Sequence, residues 1–177
     1  LSSCGVGSGA GSPMDLTCEH RKDPIGLDDA APRRSWRLDD ARRGAKQTAY
    51  RLLVATTAAA LAKDSGDLWD SGTVASGETI QIPYEGRPLE SLQKAFWKVR
   101  VWDRDSRMSP WSKPASWTMG LLHPQDWQAK WITANRTDKD PLPIFRKAIR
   151  LDRPIRQATA HICGLGQYEL SVNGRRV

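Results

Sequence analysis

The sequence predicts an all-β chain, a β-sandwich followed by the truncated start of a second β-sandwich. Two observations carry this. Short stretches alternating apolar and polar residues recur between clusters of Gly, Pro, Asp and Ser, the signature of strands with one buried face. Eight Trp in 177 residues supply large apolar area despite a hydrophobic fraction of 39%, enough for a sandwich-sized core.

The elements follow in order. Residues 16–20 read as a first strand with Leu16, Cys18 and His20 on one face, and 31–38 as a second, with Trp36 and Leu38 inward and Arg37 between them. In 48–56, Tyr50, Leu52 and Val54 alternate with Arg51 and Leu53; the Ala-rich 58–63 has high helix propensity, so a strand followed by a short helical turn is expected, with one helix over 49–63 as the alternative. Residues 68–72 form a short strand ending in a turn, and 79–83 another with Ile80 and Ile82 on one face. The clearest strand is 95–103, with Trp97, Val99 and Val101 on one face and Phe96, Lys98, Arg100 and Trp102 on the other. A last strand lies around 116–119. That makes about seven, the number for a fibronectin type III or immunoglobulin-like sandwich. Beyond Gly120 come a compact segment over 123–132, a polar linker over 135–143, and strands over 144–151 and 157–163.

Tyr168, Leu170 and Val172 then alternate with polar residues ahead of Asn173-Gly174, the strongest short-range hairpin signal because both turn positions need φ > 0. Only Arg175, Arg176 and Val177 follow, fewer than the about five residues of an ordinary strand, so an unfinished domain is expected. The expected organisation is 1–13 as a Gly/Ser-rich leader or linker, 14–134 as the first sandwich, and 135–177 as linker and incomplete second sandwich.

Composition narrows the function classes. The net charge of +7 comes from scattered pairs, Arg33-Arg34, Arg42-Arg43 and Arg175-Arg176, with Asp28, Asp29, Asp39 and Asp40 close to the first two. Phosphate-backbone binding needs clustered cations, so no nucleic-acid partner is expected and the charge reads as a solvated basic surface. No run of about 18 apolar residues is present, so no transmembrane helix is expected. Three Cys exclude a complete disulfide framework, and without CxxC or CxxH spacing neither a metal site nor any other cofactor is expected. Cys18 and Cys163 read as small core hydrophobes. Leu1-Ser2-Ser3-Cys4 ahead of a Gly/Ser-rich stretch has the form of a lipoprotein cleavage box, with Cys4 as the lipidated residue, but lacks the apolar segment that precedes one; the alternative is a linker with Met14 as the natural start. Cys4 thus separates a cell-envelope location from a cytoplasmic one.

The carboxylate pairs Asp28/Asp29, Asp39/Asp40 and Asp103/Asp105 fall in segments read as loops. A general acid needs burial to raise its pKa toward the working pH, so none is expected to be catalytic. Exposed indoles could stack on sugar rings, but alternation places Trp36 and Trp97 inward, and Lys98, Arg100, Trp102 and Trp111 suggest a cation–π stack of Arg100 between Trp102 and Trp111. Trp127 and Trp131 are candidates for a seam between sandwiches. Trp97 holds the place where such folds often carry a corner Tyr.

The order Ala31-Pro32-Arg33-Arg34-Ser35-Trp36-Arg37-Leu38, Gln47-Thr48-Ala49-Tyr50, Leu68-Trp69-Asp70-Ser71-Gly72, Trp97-Lys98-Val99-Arg100-Val101-Trp102-Asp103, Trp111-Ser112 and Asp126-Trp127-Gln128-Ala129-Lys130-Trp131-Ile132 resembles the N-terminal part of bacterial α-L-rhamnosidases. Pro143-Ile144-Phe145-Arg146-Lys147 and Gly164-Leu165-Gly166-Gln167-Tyr168-Glu169-Leu170 resemble the opening of the next domain in that family. The resemblance implies a fibronectin type III-like sandwich, a second sandwich, then an (α/α) barrel carrying an inverting acid and base about 6.5–9.5 Å apart. Both groups belong to the barrel, so no residue here inherits a catalytic role. The implied partners are the rest of the parent enzyme and, through it, rhamnosylated carbohydrate. The competing reading is a freestanding fibronectin type III-like module that binds carbohydrate or protein.

Overall fold

A computed structural model of the chain describes residues 10–135, 137, 139, 141–155 and 157–177. The fold is all-β with an immunoglobulin-like sandwich as its main body. The chain divides into two units, one ending at Lys130 and the other spanning Trp131–Val177.

Among its described residues the first unit holds seven strands: β1 (Met14–Cys18), β2 (Ile25–Leu27), β3 (Arg34–Arg37), β4 (Gln47–Ala55), β5 (Trp69–Asp70), β6 (Lys94–Asp103) and β7 (Ala115–Met119). One sheet runs β2-β7-β6-β4-β5 and the other pairs β1 with β3. The β4–β6 pairing is antiparallel from Gln47↔Asp103 to Ala55↔Phe96. Its inner face follows the alternation, with Trp97, Val99 and Val101 buried beside Leu52, Val54 and Trp117. Each fully buried indole contributes about 4–6 kcal/mol on area alone.

Burial also continues on the second face of β4, where Leu53 and Ala55 are covered by Leu61 of α1 (Ala58–Ala62). The Ala run supplies the helix propensity, and Thr57 caps it by accepting the Ala60 N–H at 3.1 Å. The helix stops where Asp64 takes φ +56°. The strand-then-helical-turn expectation therefore holds over the single-helix alternative.

Several expectations change. β1 ends at Cys18, because Glu19 and His20 turn with positive φ, which leaves His20 exposed. Residues 79–83 form no strand: Gln81 at φ +60° breaks the alternation, so Ile82 is buried and bridged to Arg34 while Ile80 is 62% exposed. β2 lies in a segment too short to announce itself and pairs parallel to β7. Trp97 is buried, but among the described residues its N–H finds no acceptor and closes no corner; the Tyr84 hydroxyl donates to the Arg87 carbonyl at 2.8 Å instead.

In the second unit the Asn173-Gly174 turn joins β8 (Ser171–Val172) to β9 (Arg175–Arg176), with φ +51° and +77° at the turn residues. The strands expected over 144–151 and 157–163 do not form. A strand needs a paired neighbour and a covered face, and here Ile144, Ile149 and Leu165 are 95%, 71% and 90% exposed. Cys163 is exposed, in contrast to the buried Cys18, and both are free thiols.

Candidate functional site

Three side-chain constellations stand out in the first unit: a cation–aromatic ladder on the outer face of the β4–β6 pair, a carboxylate–arginine knot at one end of it, and an arginine enclosed by rings in the core.

The ladder begins with backbone placement. Ser112 and Ser109 run beside β6 through N–H donations to the Val99 and Val101 carbonyls at 2.8 and 2.9 Å. In return their hydroxyls accept the Val99 and Val101 N–H groups at 3.1 Å each. This double rail sets Trp111 over Arg100, whose guanidinium carbon lies 4.2 Å from the Trp111 ring and 5.8 Å from that of Trp102. Lys98 sits 4.8 Å from the same Trp111 ring and pairs with Asp64, which also accepts the Trp111 indole N–H at 3.2 Å. The Lys98 bond, then the indole N–H, hold the Asp64 carboxyl below its ordinary value. Arg51 stands directly opposite Arg100, a like-charge pairing that costs energy across a ladder. Asp70 relieves it with a bidentate grip on Arg51 at 2.9 and 2.5 Å. The stack expected around Arg100 is therefore present.

In the knot, Arg42 donates to Asp40 at 2.6 Å, to Asp103 at 2.6 Å and to Asp105 at 3.2 Å. Asp103 also accepts the backbone N–H groups of Asp105 and Arg107 at 2.9 Å each. The sequence puts Asp103 in a solvated loop; in the fold it is 2% exposed at the end of β6, since alternation carries it onto the face of Val99 and Val101. The Arg42 hydrogen bonds push Asp103 down and bring Asp40 from 3.8 to about 2. That is the wrong direction for a general acid, which must hold its proton near neutral pH. Asp28, Asp29 and Asp39 are exposed. Among the described residues, no group of three or more His, Cys, Asp or Glu side chains could hold a metal ion.

The third constellation departs most from expectation. Arg34, by its charge part of a solvated basic surface, is fully buried. Its guanidinium carbon lies 4.9, 5.4 and 5.6 Å from the rings of Trp69, Tyr84 and Trp117. Nη2 donates to the Ile82 carbonyl at 3.3 Å, while Nε and Nη1 have no hydrogen-bond partner among the described residues. Burial lowers its pKa from 12.5 to about 10. Arg34 pairs in register with Cys18 across β1 and β3, and burial lifts that thiol to about 12 against the pull of the guanidinium. An unreactive thiol fits a core position.

Near the end of the first unit, the Ser91 hydroxyl donates to Asp126 while accepting the Leu122 N–H at 2.8 Å. Asp126 also accepts the His123 N–H at 3.1 Å, so these bonds tie the chain leaving β7 back to the sandwich. Trp127 is 38% exposed and Trp131 68%. Cys4 lies outside the described residues, and among those described no helix is long and apolar enough to cross a membrane.

A family model described as the Rha78A-like N-terminal immunoglobulin domain matches residues 13–123. An α-L-rhamnosidase of Streptomyces avermitilis is 36% identical over 90% of this chain, and one of Formosa agariphila 33% identical over 89%. The chain spans 18% and 19% of their lengths. Among solved structures, an α-L-rhamnosidase from Dictyoglumus thermophilum superposes with TM-score 0.67 at 42% identity, covering 69% of this chain and 14% of that one. The Streptomyces avermitilis α-L-rhamnosidase complexed with L-rhamnose gives 0.66 at 43% identity, covering 70% and 12%. With more than half of its residues matched and an immunoglobulin-like sandwich built from them, the chain belongs to the Rha78A-like N-terminal immunoglobulin domain family.

Proposed function

We propose that this chain is the non-catalytic N-terminal part of an α-L-rhamnosidase, whose catalytic machinery lies in the remainder of the enzyme. The observation that carries the reading is the match of a domain described as N-terminal to less than a fifth of rhamnosidases. The electrostatics support it, because every described carboxyl with a displaced pKa moves downward, as with Asp40, Asp64, Asp70 and Asp126. An inverting hydrolase needs one carboxyl raised so that it can protonate the leaving oxygen. The parent enzyme would remove terminal α-L-rhamnosyl groups with inversion. The sandwich would act as a rigid support for the catalytic part, with residues 122–126 fixing how the chain leaves it.

The decisive experiment is a chromogenic α-L-rhamnoside assay on this chain alone. It should show no turnover above the heated control. Heat-labile turnover would overturn the reading. A freestanding sugar-binding module built on Trp102 and Trp111 is disfavoured because Arg100 and Lys98 already lie against those rings. Saturable binding of the chain to a rhamnosylated polysaccharide would restore that alternative.

A further inference from the structure

We propose that Asn173 is a site of spontaneous covalent modification, losing its side-chain amide through attack by the Gly174 backbone nitrogen. Three features of the β8–β9 turn converge on this chemistry. First, Gly174 carries no Cβ and nothing lies within 4 Å of where one would stand, so its amide nitrogen is approachable. Second, both residues are exposed, and among the described residues no hydrogen bond holds the Asn173 carboxamide or the Gly174 N–H. Third, the ladder beside the turn has two residue pairs, Ser171↔Arg176 and Val172↔Arg175, backed by a Val177 N–H bond to the Leu170 carbonyl at 3.0 Å and an Arg176–Glu169 ion pair at 3.4 Å; both strands are exposed, and a lone hairpin of this kind is marginal by itself. It opens readily to the backbone rotation that brings nitrogen to Cγ.

The step balances as follows. Gly174 N, having lost its proton to base, bonds to Cγ of Asn173. The Cγ–Nδ2 bond breaks, and Nδ2 leaves as ammonia after taking up a proton, giving a five-membered succinimide. Water then opens the ring. Attack at Cγ yields aspartate, whereas attack at the backbone carbonyl yields isoaspartate, with the chain rerouted through the side chain. Each product gains one negative charge, so the formal net charge falls from +7 to +6. The two products differ in consequence. Asp-Gly still suits the two-residue turn; isoaspartate adds a backbone methylene and destroys the register of Val172 with Arg175.

The chain provides its own comparison, since its other asparagine, Asn135, precedes Arg136 and lacks the glycine. Full chain is incubated at physiological temperature in neutral and mildly alkaline buffer. Charge variants are resolved by ion exchange, modified residues mapped by peptide mass, and isoaspartate counted by enzymatic methylation. The expected result is an acidic variant mapped to position 173, containing isoaspartate and forming faster in proportion to hydroxide. It should be absent from Asn173→Gln and slowed roughly tenfold or more in Gly174→Ala, equivalent to about 1.4 kcal/mol on the barrier. The alanine variant cannot mimic this by tightening the turn, because φ +77° strains any Cβ. Modification at Asn135 as fast as at Asn173, or none at Asn173 unless the chain is unfolded in urea, would overturn the proposal.

Discussion

Replacing Arg34 by Lys should destabilise the sandwich more than replacing it by Met, although Lys keeps the charge. Taking the guanidinium pKa from 12.5 to about 10 implies a penalty on the charged form of about 3 kcal/mol, at about 1.4 kcal/mol for each factor of ten. Against it stand three ring faces, 4.9 to 5.6 Å from the guanidinium carbon, each worth about 2 kcal/mol when desolvated. The bond to the Ile82 carbonyl adds about 1.5 kcal/mol. The balance favours Arg, provided a planar, weakly hydrated cation can face several rings at once. An ammonium is compact and strongly hydrated, so the Arg34→Lys variant would keep the burial penalty while engaging about one ring; a loss of about 4 kcal/mol follows. The Arg34→Met variant would remove the penalty and regain part of the contact energy through sulfur–aromatic packing, for a loss of about 2 kcal/mol. Urea unfolding of the full chain followed by Trp fluorescence measures both, and thermal midpoints should fall by about 6 °C for the Met substitution and about 12 °C for the Lys substitution. A Lys variant as stable as the parent, or more stable than the Met variant, would refute the argument that ring stacking holds the buried charge.

Three further outcomes are expected. Arg100→Ala should cost about 1–2 kcal/mol, from two half-exposed ring contacts at about 0.5–1 kcal/mol each, and an unchanged denaturant midpoint would rule out the ladder as a stabilising element. Asp40 has a folded pKa of about 2 against 3.8 unfolded, so its contribution is complete above 3.8 and is lost as pH falls through about 2; Asp40→Asn should flatten the acid-unfolding curve in that window, and a curve unchanged in slope would show that Arg42 does not hold it. The first unit ends at Lys130, and we propose a domain boundary a few residues later, near residue 135; a chain ending at residue 134 should be more soluble than the full one because it drops the exposed Leu142, Ile144, Ile149 and Leu165, and equal or lower soluble yield in sedimentation would count against that boundary.

Much of the first unit is legible in the sequence because its longest strand obeys one rule. The alternation of β6 places Trp97, Val99 and Val101 inward and Arg100 beside Trp102, and the structure keeps both assignments. The misreadings come from treating charge as a sign of exposure. Alternation from Trp36 puts Arg34 on the same inward face, and alternation from Val101 does the same for Asp103; periodicity is the better guide in both cases. What compensates those charges, three rings in one case and Arg42 in the other, comes from distant parts of the chain and no local pattern announces it. The short β2 and the break at Gln81 are hidden for a different reason: their conformations depend on neighbours in space, on β7 and on the Arg34 backbone. Among candidate site residues, the Trp111 position is suggested by sequence, but the serine rail that fixes it is not.

That rail has a consequence for how the surface can change. Ser109 and Ser112 supply donors from their backbones and acceptors from their side chains, so the stretch between them is registered on β6 by groups that do not include the side chain of residue 111. The backbone at position 111 is therefore fixed independently of the Trp111 side chain, whose own contacts are to Arg100, Lys98 and Asp64. A change of side chain there would remove the stacking on Arg100 and Lys98 while leaving the strand beneath it in register, as long as the two hydroxyls stay.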